Sequence, residues 1–462
     1  MQTENNPRGG LVERFEAMLK ERSFAFFEEE ELEELTDYYL RARQNRKALE
    51  VVALARQQHP FSPLFLVMKA QAHVQMGENQ VALEILDEAE RIEPFFGELH
   101  MTRGSIYGQM GLHEKAIEAY KIAGEYDIPE DEVKFCIAFE LSNMSKPAEA
   151  LVLLKRVVEL NPDHEGALSE LAYCYELLND QDDSIRFFDR YTDVRPYNPN
   201  GWFNLGVSYS RNGLFEKALE AYEYALVIRE DFPSALFNKA NALTAMGQLD
   251  EAILTYKETF KYEDQRADTH YYIGECYERK QDLEQALIHY NRATRIDPQL
   301  ADAWLGTGIV LEQQNRLQEG IHYVKKALDI SPENSEYWYV FGDLQNKLGF
   351  QEEAEMAYRK VLEFEPENPN IWLDYSRVLF ELERPETAIE TLQEGIKFHP
   401  SNAELNYRMS AYLLAQGKKQ DALSFLHEAL KLDFDKHNTM FEFLPQLREN
   451  TGLAEIIESY RR

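Results

Sequence analysis

The chain has 462 residues, with 82 Asp and Glu against 49 Lys and Arg and a net charge of −33. Phosphates repel such a chain, so nucleic acids and anionic membrane surfaces are disfavoured as partners. Cys136, Cys174 and Cys276 form no CxxC pair, no apolar run is long enough to span a membrane, and the polar opening MQTENNPRGG holds no apolar signal core.

The cytoplasm is therefore the expected location. In chain order, residues 1–10 read as a disordered tail. Residues 11–28 begin with LVERFEAMLKER, a short amphipathic helix with Leu11, Phe15, Met18 and Leu19 on one side. It is predicted to cap the open end of a repeat array that starts at residue 29.

From residue 29 a beat of 34 residues sets in and holds to 436 without insertion or deletion. The predicted repeats are 29–62, 63–96, 97–130, 131–164, 165–198, 199–232, 233–266, 267–300, 301–334, 335–368, 369–402 and 403–436. In 199–232, Trp202, Leu205, Gly206 and Tyr209 share one helical face, and Ala218, Tyr222 and Ala225 share another. Gly213 between them supplies a left-handed turn, and prolines such as Pro196 and Pro298 stop the second helix. Each repeat is thus a hairpin of an A helix and a B helix. The small column, Ala218 and its equivalents, together with the glycine of the A helix, lets the two axes approach. Bulky residues of the tryptophan and tyrosine columns then fill the layer between hairpins, so Trp304→Ala is predicted to cost about 3–5 kcal/mol. Residues 437–462 read as a degenerate thirteenth repeat acting as C-terminal cap, with Leu444 too large for the small column.

The pattern W-x2-L-G-x2-Y, then alanine, an aromatic residue and proline, resembles the tetratricopeptide repeat over 29–436. Thr36, Ala70, Ala138, Ala172, Ala240, Ser376 and Ser410 stand where that family favours glycine. Ile128, Glu230, Asp264 and Phe434 stand where it favours proline. The resemblance implies an all-α, right-handed superhelical solenoid of antiparallel helix hairpins, with A helices lining the concave side. It also implies a non-catalytic scaffold for protein–protein interaction.

The residues point away from chemistry. HExxH, GxSxG, P-loop and GxGxxG motifs are missing, and the eleven histidines are scattered. Cys174 and Cys276 share one register beside the core stripe, and His100 and His270 occupy the tryptophan column, so packing explains all four. An enzyme is not expected, nor is a cofactor or metal.

Function is expected on the A-helix face opposite the packing stripe. Phe203 and Asn204, then Phe237, Asn238 and Asn241, then Tyr271, Tyr272 and Glu275 lie on it in the middle repeats, and Phe135, Phe139 and Tyr173 extend it upstream. Asparagine amides both donate and accept, so they can hold a peptide backbone, and aromatic rings give apolar pockets. The asparagines resemble those of the O-GlcNAc transferase superhelix. A chaperone-type dicarboxylate clamp is disfavoured, because Phe203, Asp268 and Tyr272 stand where its cations belong. Across all repeats these lining positions carry 18 acids and 6 bases, which favours an extended, neutral-to-basic protein segment. The plainer alternative is that the aromatics pack and the asparagines face water. Two other roles stay open: a subunit of an enzyme assembly docking through its convex face, and a protein that self-associates through 11–22 and 437–462.

Overall fold

The computed structural model describes residues 7–21, 23–449 and 451–461, which form helices and no strand. They belong to two bodies, 1–238 and 239–462. Residues 1–6 of the expected tail lie outside the described residues. The first helix spans Pro7–Glu21, so it begins inside the stretch expected to be disordered. It packs Phe15 against Phe27 and Tyr39 at ring separations of 6.3 and 6.1 Å. Leu11 and Met18 join this cluster, whereas Leu19, predicted on the same side, is exposed.

In the N-terminal body the hairpins run from Glu29–Arg41 and Asn45–Gln58 to Pro199–Arg211 and Phe215–Ile228. The A helix Leu64–Gln75 packs on the next A helix, Gly97–Gln109, and Glu165–Leu177 packs on Pro199–Arg211. Among the described residues no two B helices pack to this extent. The A helices therefore form one face and the B helices the other. The C-terminal body follows the same rule: Ala267–Arg279, Ala301–Gln313 and Ser335–Lys347 are successive A helices in contact.

The beat reappears in the backbone. Positive φ occurs at 43, 77, 111, 145, 179, 213, 247, 281, 315, 349, 383 and 417, always 34 residues apart. At each place the chain leaves an A helix, and the next amide reaches back to close the turn, as Leu214 N–H does to the Tyr209 carbonyl at 2.9 Å. Only half of these positions are glycine; Glu383 holds φ 57° with a side chain. A β-carbon in this region is strained. Glu383→Gly is therefore expected to raise stability by up to about 1 kcal/mol, less whatever entropy glycine adds to the unfolded chain. Asn315→Gly should change the urea midpoint less, because asparagine tolerates the left-handed region.

The glycine of the A helix has a more specific partner than the small column. A β-carbon on Gly206 would sit 2.5 Å from the Tyr222 ring, and one on Gly274 would sit 2.7 Å from the Tyr290 ring. The tyrosine of the B helix thus lies against the glycine of its own hairpin, and Tyr290 also reaches the next hairpin, where a β-carbon on Gly306 would sit 2.7 Å from its ring. Where the ring is lost, at Val324, a β-carbon on Gly320 would lie 3.0 Å from the Gly308 carbonyl oxygen. There the two backbones close directly and keep the interior densely packed.

Tryptophan and proline are also linked. Trp202, Trp304, Trp338 and Trp372 each donate their indole N–H to the carbonyl of the proline six residues earlier, at 2.8–3.0 Å. His100 makes the same contact with Pro94 at 3.1 Å. The pairing satisfies a carbonyl that the ended B helix leaves without a helical donor. At the chain's end Met440, Leu444, Leu453 and Ile457 cover Tyr407, Leu426 and Leu430. The helices Asn438–Phe443 and Thr451–Ser459 are shorter than those of a repeat.

Candidate functional site

The expected surface residues fall into separate environments. On the A helices of the N-terminal body, Phe139 and Tyr173 are exposed. Phe135 is half-buried, 6.5 Å from Phe139 and 4.5 Å from the His164 ring. Phe203 is also half-buried, packed on Tyr222 and Phe232 at 6.2 and 5.0 Å. Asn204 departs from the expectation. It is only 3% exposed, and its Nδ2 donates to the Asn200 carbonyl at 2.9 Å. Its amide is spent on its own helix and is not offered to a peptide. The reason is crowding where this helix packs on the preceding hairpin, which buries Asn204 along with Ser208, whose hydroxyl meets Ser184 of the B helix Gln181–Val194 at 2.7 Å.

Helix Pro233–Ala245 contains the division between the two bodies. Phe237, Asn238 and Asn241 lie on it, all half-buried. Asn241 accepts a hydrogen bond from the Tyr256 hydroxyl, so its carbonyl oxygen is engaged.

The C-terminal body holds the densest cluster. Tyr272 stacks on Tyr256 at 6.0 Å, Tyr271 meets Tyr272 edge-on at 5.2 Å, and Tyr271 lies 5.7 Å from Tyr290. Burial pushes the Tyr271 hydroxyl well above the ordinary phenol range, and Glu275, Asp302 and Glu336 push it further. These carboxylates come from three successive A helices and all bear electrostatically on one hydroxyl. Asp302 accepts from the Tyr337 hydroxyl, and Asp374 accepts from Tyr339 at 3.1 Å. Glu278 behind them is raised by burial, and accepts from Tyr290 at 2.7 Å and from Gln313 at 3.2 Å. Glu275 and Glu336 have no ion pair among the described residues. The cluster is an acidic, tyrosine-lined surface suited to cations and N–H donors. Tyr271, Tyr272 and Glu275 were expected here from the sequence; Asp302 and Glu336 were not. The recurrence of an acid at the second place of successive repeats, in Asp268, Asp302 and Glu336, is the signal that points to them.

The remaining candidates are packing residues. Cys174 and Cys276 are buried, each beside a hydroxyl of the preceding A helix, Ser142 at 3.3 Å and Thr244 at 3.4 Å. Burial raises all three thiols, Cys136 to about 11, which keeps them protonated at neutral pH. Among the described residues no three His, Cys, Asp or Glu side chains are placed to hold a metal ion, and no helix is long and apolar enough to cross a membrane.

Profiles of the tetratricopeptide repeat match 34–95, 67–127, 144–202, 199–232, 237–301, 297–335, 335–368 and 352–411. The chain belongs to the tetratricopeptide repeat family. That family places it among protein-interaction scaffolds. It is similar to TPR repeat-containing protein MJ0940 of Methanocaldococcus jannaschii, at 33% identity over 23% of this chain and 33% of that protein. It is also similar to anaphase-promoting complex subunit 6 of Dictyostelium discoideum, at 30% identity over 17% of this chain and 9% of that subunit. The chain therefore spans a third or less of the length of these curated relatives. Among solved structures, the Cut9–Hcn1 hetero-tetramer of the APC/C aligns at 14% identity over 84% of this chain and 90% of the matched chain, with a TM-score of 0.44. MamA aligns at 22% identity over 35% of this chain and 95% of its own, with a TM-score of 0.33.

Proposed function

We propose that this tetratricopeptide repeat protein is a binding scaffold without catalytic activity, and that its C-terminal body holds an extended, basic segment of a partner protein along the A-helix face. One observation carries the reading: Glu275, Asp302 and Glu336, from three successive A helices, all bear on the Tyr271 hydroxyl, and among the described residues none of the three has an ion pair. Arginine or lysine of a partner would neutralise the three carboxylates and stack on the tyrosines. The aromatic groups Phe139 and Tyr173 of the N-terminal body offer apolar contacts of the same A-helix kind.

The test is binding of a fluorescein-labelled arginine- and lysine-rich peptide to the whole chain. Glu275→Gln with Asp302→Asn and Glu336→Gln should weaken it at least about tenfold, or about 1.4 kcal/mol. Far-ultraviolet circular dichroism should stay unchanged. Rising salt should weaken the parent chain more than the variant. Equal affinity of the two chains would refute the reading. The likeness to an anaphase-promoting complex subunit supports a role within an assembly, where the same face would hold a neighbouring subunit's basic segment.

A further inference from the structure

The B-helix face of the N-terminal body carries a site of the other sign. Between the B helices Pro147–Leu160 and Gln181–Val194 lies an open cavity of about 660 Å³. Its floor is Tyr175, which lies 6.3 Å from Phe187. One wall ends in Val194, 76% exposed, and Tyr197 in the following loop is 86% exposed. Lys155 stands 5.4 Å over the Tyr175 ring, and Arg190 and Arg195 line the rim. The two acids at this cavity are already engaged: Glu159 pairs with Arg156 at 3.0 Å, and Asp183 pairs with Arg186. Arg190 has no ion pair or hydrogen bond among the described residues, and Lys155 has no carboxylate within ion-pair distance.

We propose that this cavity binds an acidic peptide segment of another protein, with one aromatic or aliphatic side chain seated against Phe187 and Val194 and its carboxylates on Lys155 and Arg190. Charge complementarity selects the occupant. In a chain of net charge −33, a rim whose unpaired charges among the described residues are positive favours an acidic ligand. An exposed apolar surface framed by such charges marks a docking site, and the aromatic floor suits an anchor residue. Nucleic acid, which could use the same cations, meets the chain's overall negative field. This site differs from the acidic A-helix face in body, in helix type and in the charge of its partner, so it stands whether or not that face binds a basic segment.

The probe is a fluorescein-labelled peptide with one tryptophan and one leucine among aspartates and glutamates, titrated into the whole chain and followed by anisotropy. Saturable binding is expected, weakened at least about tenfold by Lys155→Glu with Arg190→Glu. Both side chains are exposed, so the variant should keep the circular dichroism of the parent. Failure of the acidic peptide to bind, or equal binding by the variant, would overturn the proposal. So would its displacement by a single-stranded oligonucleotide of equal charge. Sedimentation velocity covers the remaining occupant: a dimer of the parent that the double variant dissolves would assign the cavity to a second copy, and also overturn the proposal.

Discussion

Trp372→Ala is expected to cost about 3–5 kcal/mol, the largest single loss among the tryptophans. Trp372 is 5% exposed, stacks on Phe398 at 5.6 Å, and donates to the Pro366 carbonyl at 2.8 Å. Its ring also occupies the space beside Gly395, where a β-carbon would lie 2.9 Å from it. Removing it empties a packed site and takes the closer donor from the Pro366 carbonyl, leaving only His399 Nε2 at 3.3 Å. Trp304, for which the sequence predicts the same cost, is only half-buried, so its alanine variant should lose less. A urea titration of both variants beside the parent ranks them. A smaller shift for Trp372→Ala than for Trp304→Ala would contradict this view of the column.

The second large effect is on pH dependence. Where the repeats 233–266 and 267–300 meet, the column changes character: His270 replaces tryptophan and Asp264 replaces proline. With no proline to meet, His270 turns its Nδ1 to the Nδ1 of His289 at 3.0 Å, and its Nε2 lies 3.3 Å from the Gln265 side-chain oxygen. One imidazole must donate and the other accept, which two protonated rings cannot do. Burial pushes both down to about 4, and Arg292 and Lys257 add to the effect. Because the folded values lie below the unfolded value near 6.5, the unfolded chain takes up protons that the folded chain refuses. Stability from this pair is full above about pH 6.5 and falls as pH drops towards about 4, by at most about 3 kcal/mol per ring. Urea midpoints at pH 7 and pH 5 should therefore separate strongly for the parent. The gap should narrow in His270→Asn with His289→Asn. An unchanged gap in that double variant would rule out the pair as its source.

Much of the fold was legible because one residue type recurs for one reason. Small residues at 48, 82 and onward are needed wherever two helices cross, and the left-handed turn returns every 34 residues whether or not glycine is there. At Arg43, Ser145 and Glu383 the glycine signal is missing while the geometry persists, because packing of the hairpins on either side fixes the turn. The candidate site was less legible. Asn204 carries a surface residue type, yet it is buried where its helix packs on the preceding hairpin, and helical spacing alone does not tell that direction from the neighbouring open one. Asp302 meets Tyr337 and Asp374 meets Tyr339 only across adjacent repeats, 35 residues apart. Such pairs depend on how hairpins stack, which a single repeat's pattern does not specify. The partnership of tryptophan with proline was likewise hidden, since each residue had an adequate explanation alone.

If the acidic tyrosine face of the A helices in the C-terminal body binds a basic protein segment, that face must become protected when the segment arrives. Hydrogen exchange of the whole chain, alone and saturated with the arginine- and lysine-rich peptide, measures this directly. Slowed exchange concentrated in Ala267–Arg279, Ala301–Gln313 and Ser335–Lys347 is the expected result. Protection confined to B helices, or no protection at saturating peptide, would contradict it.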